Sequence, residues 1–286
     1  MAKTQDLKRR IRSVRNTMQL TRAMKMVAAS KLRRAQQRVL GARPYFHRTR
    51  AVLKSLTART DTELHPLLQE HGERSAEVVV LTGDKGLCGS FNAGIIRRAE
   101  GLIERLGDRD VRVIAVGKRG RDFFRRYGFN VVAEWDDVFR DVQFPLAEEI
   151  AQPLMERYIA GEVDEIFLAY NEFKSALQAT PTIVRLLPVE PPTPEENQGL
   201  EDYIYEPAPK ELLASLIPHY VEQVVFQALL ESIAAEHAAR MTAMDAATKN
   251  AAEMIEKLTL RYNRARQAAI TTELMEIISG ADALQE

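Results

Sequence analysis

From His219 to Ser279 the chain runs without a glycine or a proline. Nothing in that stretch breaks a helix. Within it a seam of mostly apolar or small residues alternates steps of four and three: Phe226, Leu230, Ile233, His237, Arg240, Met244, Ala247, Ala251, Met254, Leu258, Arg261, Ala265, Ala268. That spacing is a coiled-coil seam. One continuous helix over it would be on the order of 90 Å long, far beyond the three turns or so of an ordinary core helix. Alanines fill its middle, from Ala234 to Ala252. Small side chains allow close helix approach but bury little area each, so the rod is thin. Gly280 supplies a stop.

The other end matches it. Met1–Leu40 also lacks glycine and proline, and Leu7, Ile11, Val14, Met18, Thr21, Lys25, Ala28, Leu32, Ala35 and Val39 repeat the same alternation. The helical pattern continues to about residue 56. Each helix alone would be marginal; pairing the two seams buries both stripes. A folded segment between them must return the chain, which makes the pair antiparallel.

The middle reads as α/β. Strands are expected at 78–81, 111–116, 130–133, 165–170 and 183–187, with helices at 93–106, 118–127 and 144–159 between them. That alternation predicts a parallel sheet covered on both faces, a Rossmann-like insert. Residues 188–209 hold six prolines and read as a linker or extended surface segment. The resulting domain reading is a coiled-coil helix at 1–56, an α/β domain at 75–190, a proline-rich linker at 191–209 and a second coiled-coil helix at 210–286.

Charge is balanced in sum and segregated along the chain. There are 40 basic and 40 acidic residues, yet the first 50 residues hold 15 bases and a single acid, Asp6. A basic helix of this kind suits nucleic acid, a membrane surface or an acidic protein partner. The first 50 residues offer only Tyr45 and Phe46 as aromatics and no nucleic-acid motif, which weighs against the first. A removable leader is disfavoured, because the helical pattern runs well past any leader's length. No run of about 18 apolar residues exists, so no membrane span is expected. One cysteine, Cys88, excludes an internal disulfide framework and a cysteine zinc site.

Motifs for chemistry are sparse. Thr82-Gly83-Asp84-Lys85-Gly86-Leu87-Cys88-Gly89-Ser90-Phe91-Asn92 follows a strand and opens a helix, where backbone N–H groups can cradle phosphate. Its glycine spacing fits neither the dinucleotide fingerprint nor a P-loop, and Asp84 and Lys85 suit a partner surface as well. Cys88 has no histidine near it in sequence and reads as a small buried thiol. The five histidines, at 47, 65, 71, 219 and 237, show no metal-ligand spacing. Glu273 and Glu276 form a carboxylate pair without a pocket and read as a solvated or partner-facing edge. No catalytic residue, cofactor or metal site is expected.

The segment Ile270-Thr271-Thr272-Glu273-Leu274-Met275-Glu276-Ile277-Ile278-Ser279-Gly280-Ala281-Asp282-Ala283 resembles the C-terminal signature of the gamma-subunit family of F-type ATP synthases. The likeness extends through Tyr262-Asn263-Arg264-Ala265-Arg266-Gln267-Ala268-Ala269, Glu236-His237-Ala238-Ala239-Arg240-Met241 and Tyr205-Glu206-Pro207. Ile11-Arg12-Ser13-Val14 and Thr21 to Lys31 are similar to the family's N-terminal helix, and Asp84 to Gly89 to its middle loop, with Lys85 where the family more often shows arginine. Together these cover essentially the whole chain.

The resemblance implies a central rotor shaft without an active site of its own, and no cofactor. Its terminal helices would form an antiparallel coiled coil inside a ring of three alpha and three beta subunits. Its α/β domain would sit at the foot with the epsilon subunit and the c-subunit ring, peripheral to a bacterial plasma membrane on the cytoplasmic face. Proton flow would turn the c ring, the ring would turn the shaft, and the shaft would bias the beta-subunit sites toward synthesis, or hydrolysis in reverse. By resemblance Met24 and Lys25 lie near an acidic beta lever, and Arg266, Gln267, Thr271 and Glu273 where the shaft catches a beta loop. Ile277, Ile278, Ala281, Ala283 and Leu284 suit an apolar bearing, and Tyr205 and Glu206 the c-ring or epsilon contact at the foot. Chloroplast members carry an inserted cysteine pair; with one cysteine, thiol control of that kind is not expected. The alternatives are a basic coiled-coil nucleic-acid binder or scaffold, and a nucleotide-binding enzyme built on the α/β domain.

Overall fold

The computed structural model describes residues 2–57, 65–176, 178–190, 206 and 208–282. In chain order the elements are α1 (Ala2–Thr57), β1 (Ser75–Leu81), α2 (Phe91–Leu106), β2 (Asp110–Val116), α3 (Lys118–Arg126), β3 (Val131–Trp135), α4 (Phe144–Ile159), β4 (Glu165–Ser175), β5 (Gln178–Leu187) and α5 (Pro209–Asp282). Contacts divide the chain into two compact units: residues 1–28 with 241–286, and residues 29–240. Both long helices contribute to each unit.

The larger unit is built on a five-stranded sheet of order β3-β2-β1-β4-β5. β1 pairs parallel with β2 and β4, and β2 with β3. β4 and β5 pair antiparallel, which corrects the all-parallel expectation. Ser75–Leu81 is the central strand, and Ala76 to Leu81 are fully buried, as a strand covered on both faces must be. Val78 and Val80 pack with Ile95, Ala99 and Leu102 of α2 and Phe124 of α3. The opposite parity faces α4: Arg157 donates Nε and Nη2 to both carboxylate oxygens of Glu77, each at 2.8 Å. Glu77 is fully buried, and the bidentate guanidinium offsets its desolvation.

β5 turns back because only two residues separate it from β4. A parallel return needs a crossover of a dozen or more residues, so a short connection closes a hairpin. That connection, Ala176-Leu177, carries no glycine or asparagine to announce a turn.

Both long helices contain prolines. Pro44 interrupts α1 and Pro218 interrupts α5, and neither helix ends there. At Pro44 the freed carbonyl belongs to Leu40, which is exposed, so water can satisfy it. At Pro218 the freed carbonyl belongs to Ala214, and the His65 ring hydrogen-bonds that backbone group. The same imidazole accepts from Leu67 N through Nδ1 at 3.2 Å. One side chain thus caps a 3-10 turn and covers a proline's orphan acceptor. Within this unit α5 is buried on every side from Ala228 to Ala238, where its alanines cluster. An all-round buried helix needs small side chains where neighbours approach closely.

The smaller unit is an antiparallel helix pair. Thr21 Oγ1 meets Thr248 Oγ1 at 2.8 Å, and Lys25 Nζ meets Asp245 Oδ1 at 2.5 Å. On α1 the inward positions are Leu7, Ile11, Val14, Met18, Thr21 and Ala28, as the periodicity predicts. On α5 the expected seam holds at Ala251, Leu258 and Ala265, and its alternate positions slip by one residue beyond Ala247. The inward positions are Thr248, Ala251, Ile255, Leu258, Tyr262, Ala265 and Ala269, while Met254, Arg261 and Ala268 are exposed.

Candidate functional surfaces

The register of the helix pair leaves α5 without a partner at its end. Thr21 faces Thr248 and Lys25 faces Asp245, so one helix advances as the other retreats. Extrapolated back, the start of α1 stands opposite about residue 268 of α5. Beyond it α5 continues to Asp282. Ile270, Leu274, Met275, Ile277 and Ile278 are each about half exposed or more, 49 to 68 %. Scattered exposed apolar residues mean little, but five within three turns of one helix make a surface that wants covering.

Of the residues singled out from the sequence, Arg266, Gln267, Thr271 and Glu273 are exposed on this end of α5. Thr271 Oγ1 donates to the Gln267 carbonyl at 3.0 Å, and Thr272 Oγ1 to that of Ala268 at 2.9 Å. Those hydroxyls are tied to their own helix, so the longer Arg266 and Gln267 side chains are the ones free to reach outward. Met24 and Lys25 sit half-buried at the flank of the pair. Lys25 and Lys249 both bind Asp245, and the two ammonium donors hold its carboxyl below the usual carboxylate range. Asp245 and its role were not anticipated from sequence; the i,i+4 pair with Lys249 was the available signal. Lys8, Arg9, Arg10, Arg12, Arg15 and Arg22 are exposed along α1. Glu206 is exposed; Tyr205, Ala283 and Leu284 lie outside the described residues, as do residues 191–205 of the expected linker, and nothing of the Ala281 side chain is described.

In the larger unit the candidate ligand loop, residues 82–92, follows the central strand at the point where the strand order reverses, with β2 and β3 laid down on one side of β1 and β4 and β5 on the other. An α/β sheet binds ligands at that crevice. Here most of the loop's polar groups are held by the chain itself, and a cavity of about 450 Å³ remains beside Asp84 and Lys85. Gly83 N donates to Asn92 Oδ1 at 2.8 Å. Asp84 Oδ1 accepts from Lys118 N at 3.0 Å and Asp137 N at 3.1 Å. α5 closes on the loop through Glu236 and Arg240: they pair at 2.7 Å, and Arg240 Nη2 reaches the Gly86 carbonyl at 3.4 Å. A Cβ at Gly83 would lie 2.7 Å from Glu236 Oε1, so the glycine is what admits the carboxylate. Two segments singled out separately in the sequence, 82–92 and 236–241, therefore meet as one contact.

Cys88 lies against Phe91 and Ala235, only 2 % exposed. Burial raises its thiol pKa, with Glu236 adding to the shift and Arg240 opposing it. It is a packing residue, as the sequence reading expected. Burial pushes the His237 imidazole down to about 4; Glu236 opposes the shift, and the Arg240 and Lys31 charges add to it. No group of three His, Cys, Asp or Glu side chains among the described residues is placed to hold a metal. No helix among them is long and apolar enough to cross a membrane.

A helix pair that turns charged and apolar side chains outward, and an α/β loop braced by the chain's own helix, fit a protein that works through its surfaces: a coupling or stalk subunit. Comparison with known proteins gives that class its identity. The family profile described as ATP synthase matches residues 3–284. ATP synthase gamma chains of Desulforamulus reducens and Moorella thermoacetica are 49 % and 50 % identical over 288 and 285 residues, spanning the whole of both chains in each case. The central stalk/c-ring structure of Tetrahymena thermophila mitochondrial ATP synthase contains a chain that superposes with a TM-score of 0.62 at 27 % identity, covering 80 % of this chain and 99 % of that one. A chain of the Euglena gracilis mitochondrial enzyme shares the fold at a TM-score of 0.70 and 19 % identity, covering 99 % and 95 %. The chain belongs to the ATP synthase gamma chain family. The nucleic-acid-binding alternative finds no support among these relatives.

Proposed function

We propose that the chain is the central rotor shaft of an F-type ATP synthase. Proton flow turns a ring of c subunits, the ring turns this chain, and the chain biases the conformations of three beta subunits in an alpha/beta ring. The observation that carries the reading is the full-length identity of about half with ATP synthase gamma chains. A shaft drives its surroundings only by contacting their conformations unequally. Arg266 and Gln267 are exposed donors suited to making and breaking hydrogen bonds with a beta loop as the shaft turns. Thr271 and Glu273 flank that contact, and Met24 with Lys25 meets an acidic beta lever. Ile277 and Ile278, with Ala281, Ala283 and Leu284, form the apolar bearing. Tyr205 and Glu206 contact the c ring or epsilon subunit at the foot. The domains divide as read from the sequence, with 1–56 and 210–286 as shaft, 75–190 as foot and 191–209 as linker. As part of the membrane-associated ATP synthase the chain sits peripherally, through the c ring, on the cytoplasmic face of a bacterial plasma membrane.

Rotation tests this directly. Cys88 is buried and unsuited to labelling, so the probe goes on exposed Asp108, as Asp108→Cys in a Cys88→Ser background. In a complex of alpha, beta and this chain, ATP should drive unidirectional rotation with three main dwells per turn. Sustained hydrolysis with a verified, motionless probe would make the chain a static scaffold instead.

A further inference from the structure

The cavity of about 450 Å³ beside the 82–92 loop lies wholly within the larger unit. Its walls are α1, the loop, the 3-10 turn Val138–Arg140 and the α5 face of Ile233, Glu236 and His237. Six cations and three carboxylates line it. The carboxylates are already engaged. Asp84 accepts from two backbone N–H groups, Asp137 Oδ2 accepts from Lys118 Nζ at 3.0 Å, and Glu236 is paired with Arg240. Of the cations, Arg38 donates to the Val142 carbonyl. Lys31, Arg34, Lys85 and Arg140 are exposed, and none of them has a hydrogen-bond or ion-pair partner among the described residues.

Helix spacing turns the α1 cations toward this space. Lys31, Arg34, Ala35 and Arg38 follow the i, i+3, i+4, i+7 pattern of one helix face, and Ala35, in the middle of that face, is buried. Arg38 crosses from it to Val142, just beyond the turn that carries Arg140. The Lys31 charge acts on the buried His237 ring in the α5 wall. Unpaired positive charges from three separate segments therefore surround one concavity. Like charges gathered round a cavity repel, and a bound anion removes that cost. A lone phosphate offers one centre of charge to cations on three walls; linked phosphates offer several. Guanidinium forks match pairs of phosphate oxygens, and ammonium groups supply point charges between them. The volume is in the range of small-molecule sites.

We propose that this cavity binds a compact polyphosphate anion, a diphosphate or triphosphate group, held by Lys31, Arg34, Lys85 and Arg140. The site stands on the chain's own charges and not on the rotor reading.

The test titrates pyrophosphate into the full chain by isothermal calorimetry, at physiological ionic strength and without divalent metal. One site is expected, binding pyrophosphate at least tenfold tighter than orthophosphate or citrate. Arg34→Gln with Arg140→Gln should weaken it at least tenfold. Both side chains are exposed and unpaired, so the melting temperature should stay unchanged. Lys85→Gln, on a different wall, should weaken binding several-fold by itself. Lys8→Gln with Arg12→Gln removes the same charge from the smaller unit and should leave the affinity as it was. ATP distinguishes the source of the group: affinity equal to or above that of pyrophosphate makes the natural ligand a nucleotide, and weaker affinity makes it a free polyphosphate. Absence of saturable binding, a loss in the Arg34 and Arg140 pair no larger than in the Lys8 and Arg12 pair, or citrate or orthophosphate binding as tightly as pyrophosphate would each overturn the proposal.

Discussion

A methyl group added at Gly117 would lie 2.0 Å from the Thr82 carbonyl oxygen, on a backbone whose φ is +101°. At Gly41, in the interior of α1, the same methyl group would meet nothing within 4 Å. Sequence alone ranks the two glycines alike; only the backbone's surroundings separate them. Gly117→Ala should destabilise the chain by about 3 kcal/mol, because a backbone oxygen has to move and the conformation is strained for an L residue. Gly41→Ala should stabilise it by up to about 1 kcal/mol through helix propensity. Urea unfolding of the two variants checks the opposite signs. At His237 the folded-state pKa lies below the unfolded value of 6.5, at about 4. The fold therefore favours the neutral ring, and its contribution is complete above pH 6.5. It is lost as pH falls from 6.5 toward 4, by about 3 kcal/mol in all. His237→Gln should flatten that part of a stability-versus-pH curve; an unchanged slope would assign the dependence to other groups.

The two long helices show how far periodicity reaches at the scale of an element. The α1 seam was legible to the residue, because only one phase repeats at steps of four and three while other apolar residues such as Leu20, Met26 and Val27 fall singly outside it. In α5 alternate seam positions offer two choices, Met254 or Ile255 and Ala268 or Ala269. Adjacent residues of similar size and polarity leave the choice to the partner helix, which selects the second set. The end of α5 is legible as a helix, while its exposure follows from the antiparallel register. Because Ile277 and Ile278 are exposed, Ile277→Asp with Ile278→Asp should shift the stability of the isolated chain by no more than about 0.5 kcal/mol. In the assembled complex the same pair should lower ATP-driven torque, measured by the load the rotating probe can move. Unfolding of the isolated variant would instead make these residues part of a core.

For the whole molecule, zero net charge is the least informative number the sequence offers. The exposed bases of α1 would give long-range attraction to an acidic partner, screened beyond about 8 to 10 Å at physiological salt. Replacing Lys8, Arg12 and Arg15 by glutamine should slow association with the alpha and beta subunits at low salt and lessen the rate's salt dependence. An unaltered salt dependence would place the attraction elsewhere. The two helices, the α/β insert, four of the five strand directions and the family could all be read from the amino-acid order. Those features follow from local periodicity, breakers and motif strings, each carried by residues close together in the chain. The antiparallel β5, the one-residue slip in the α5 seam and the junction of Gly83 with Glu236 and Arg240 came from the folded chain. Each of these depends on which atoms of distant segments come into contact, and hydrogen-bond satisfaction and close packing are settled only there.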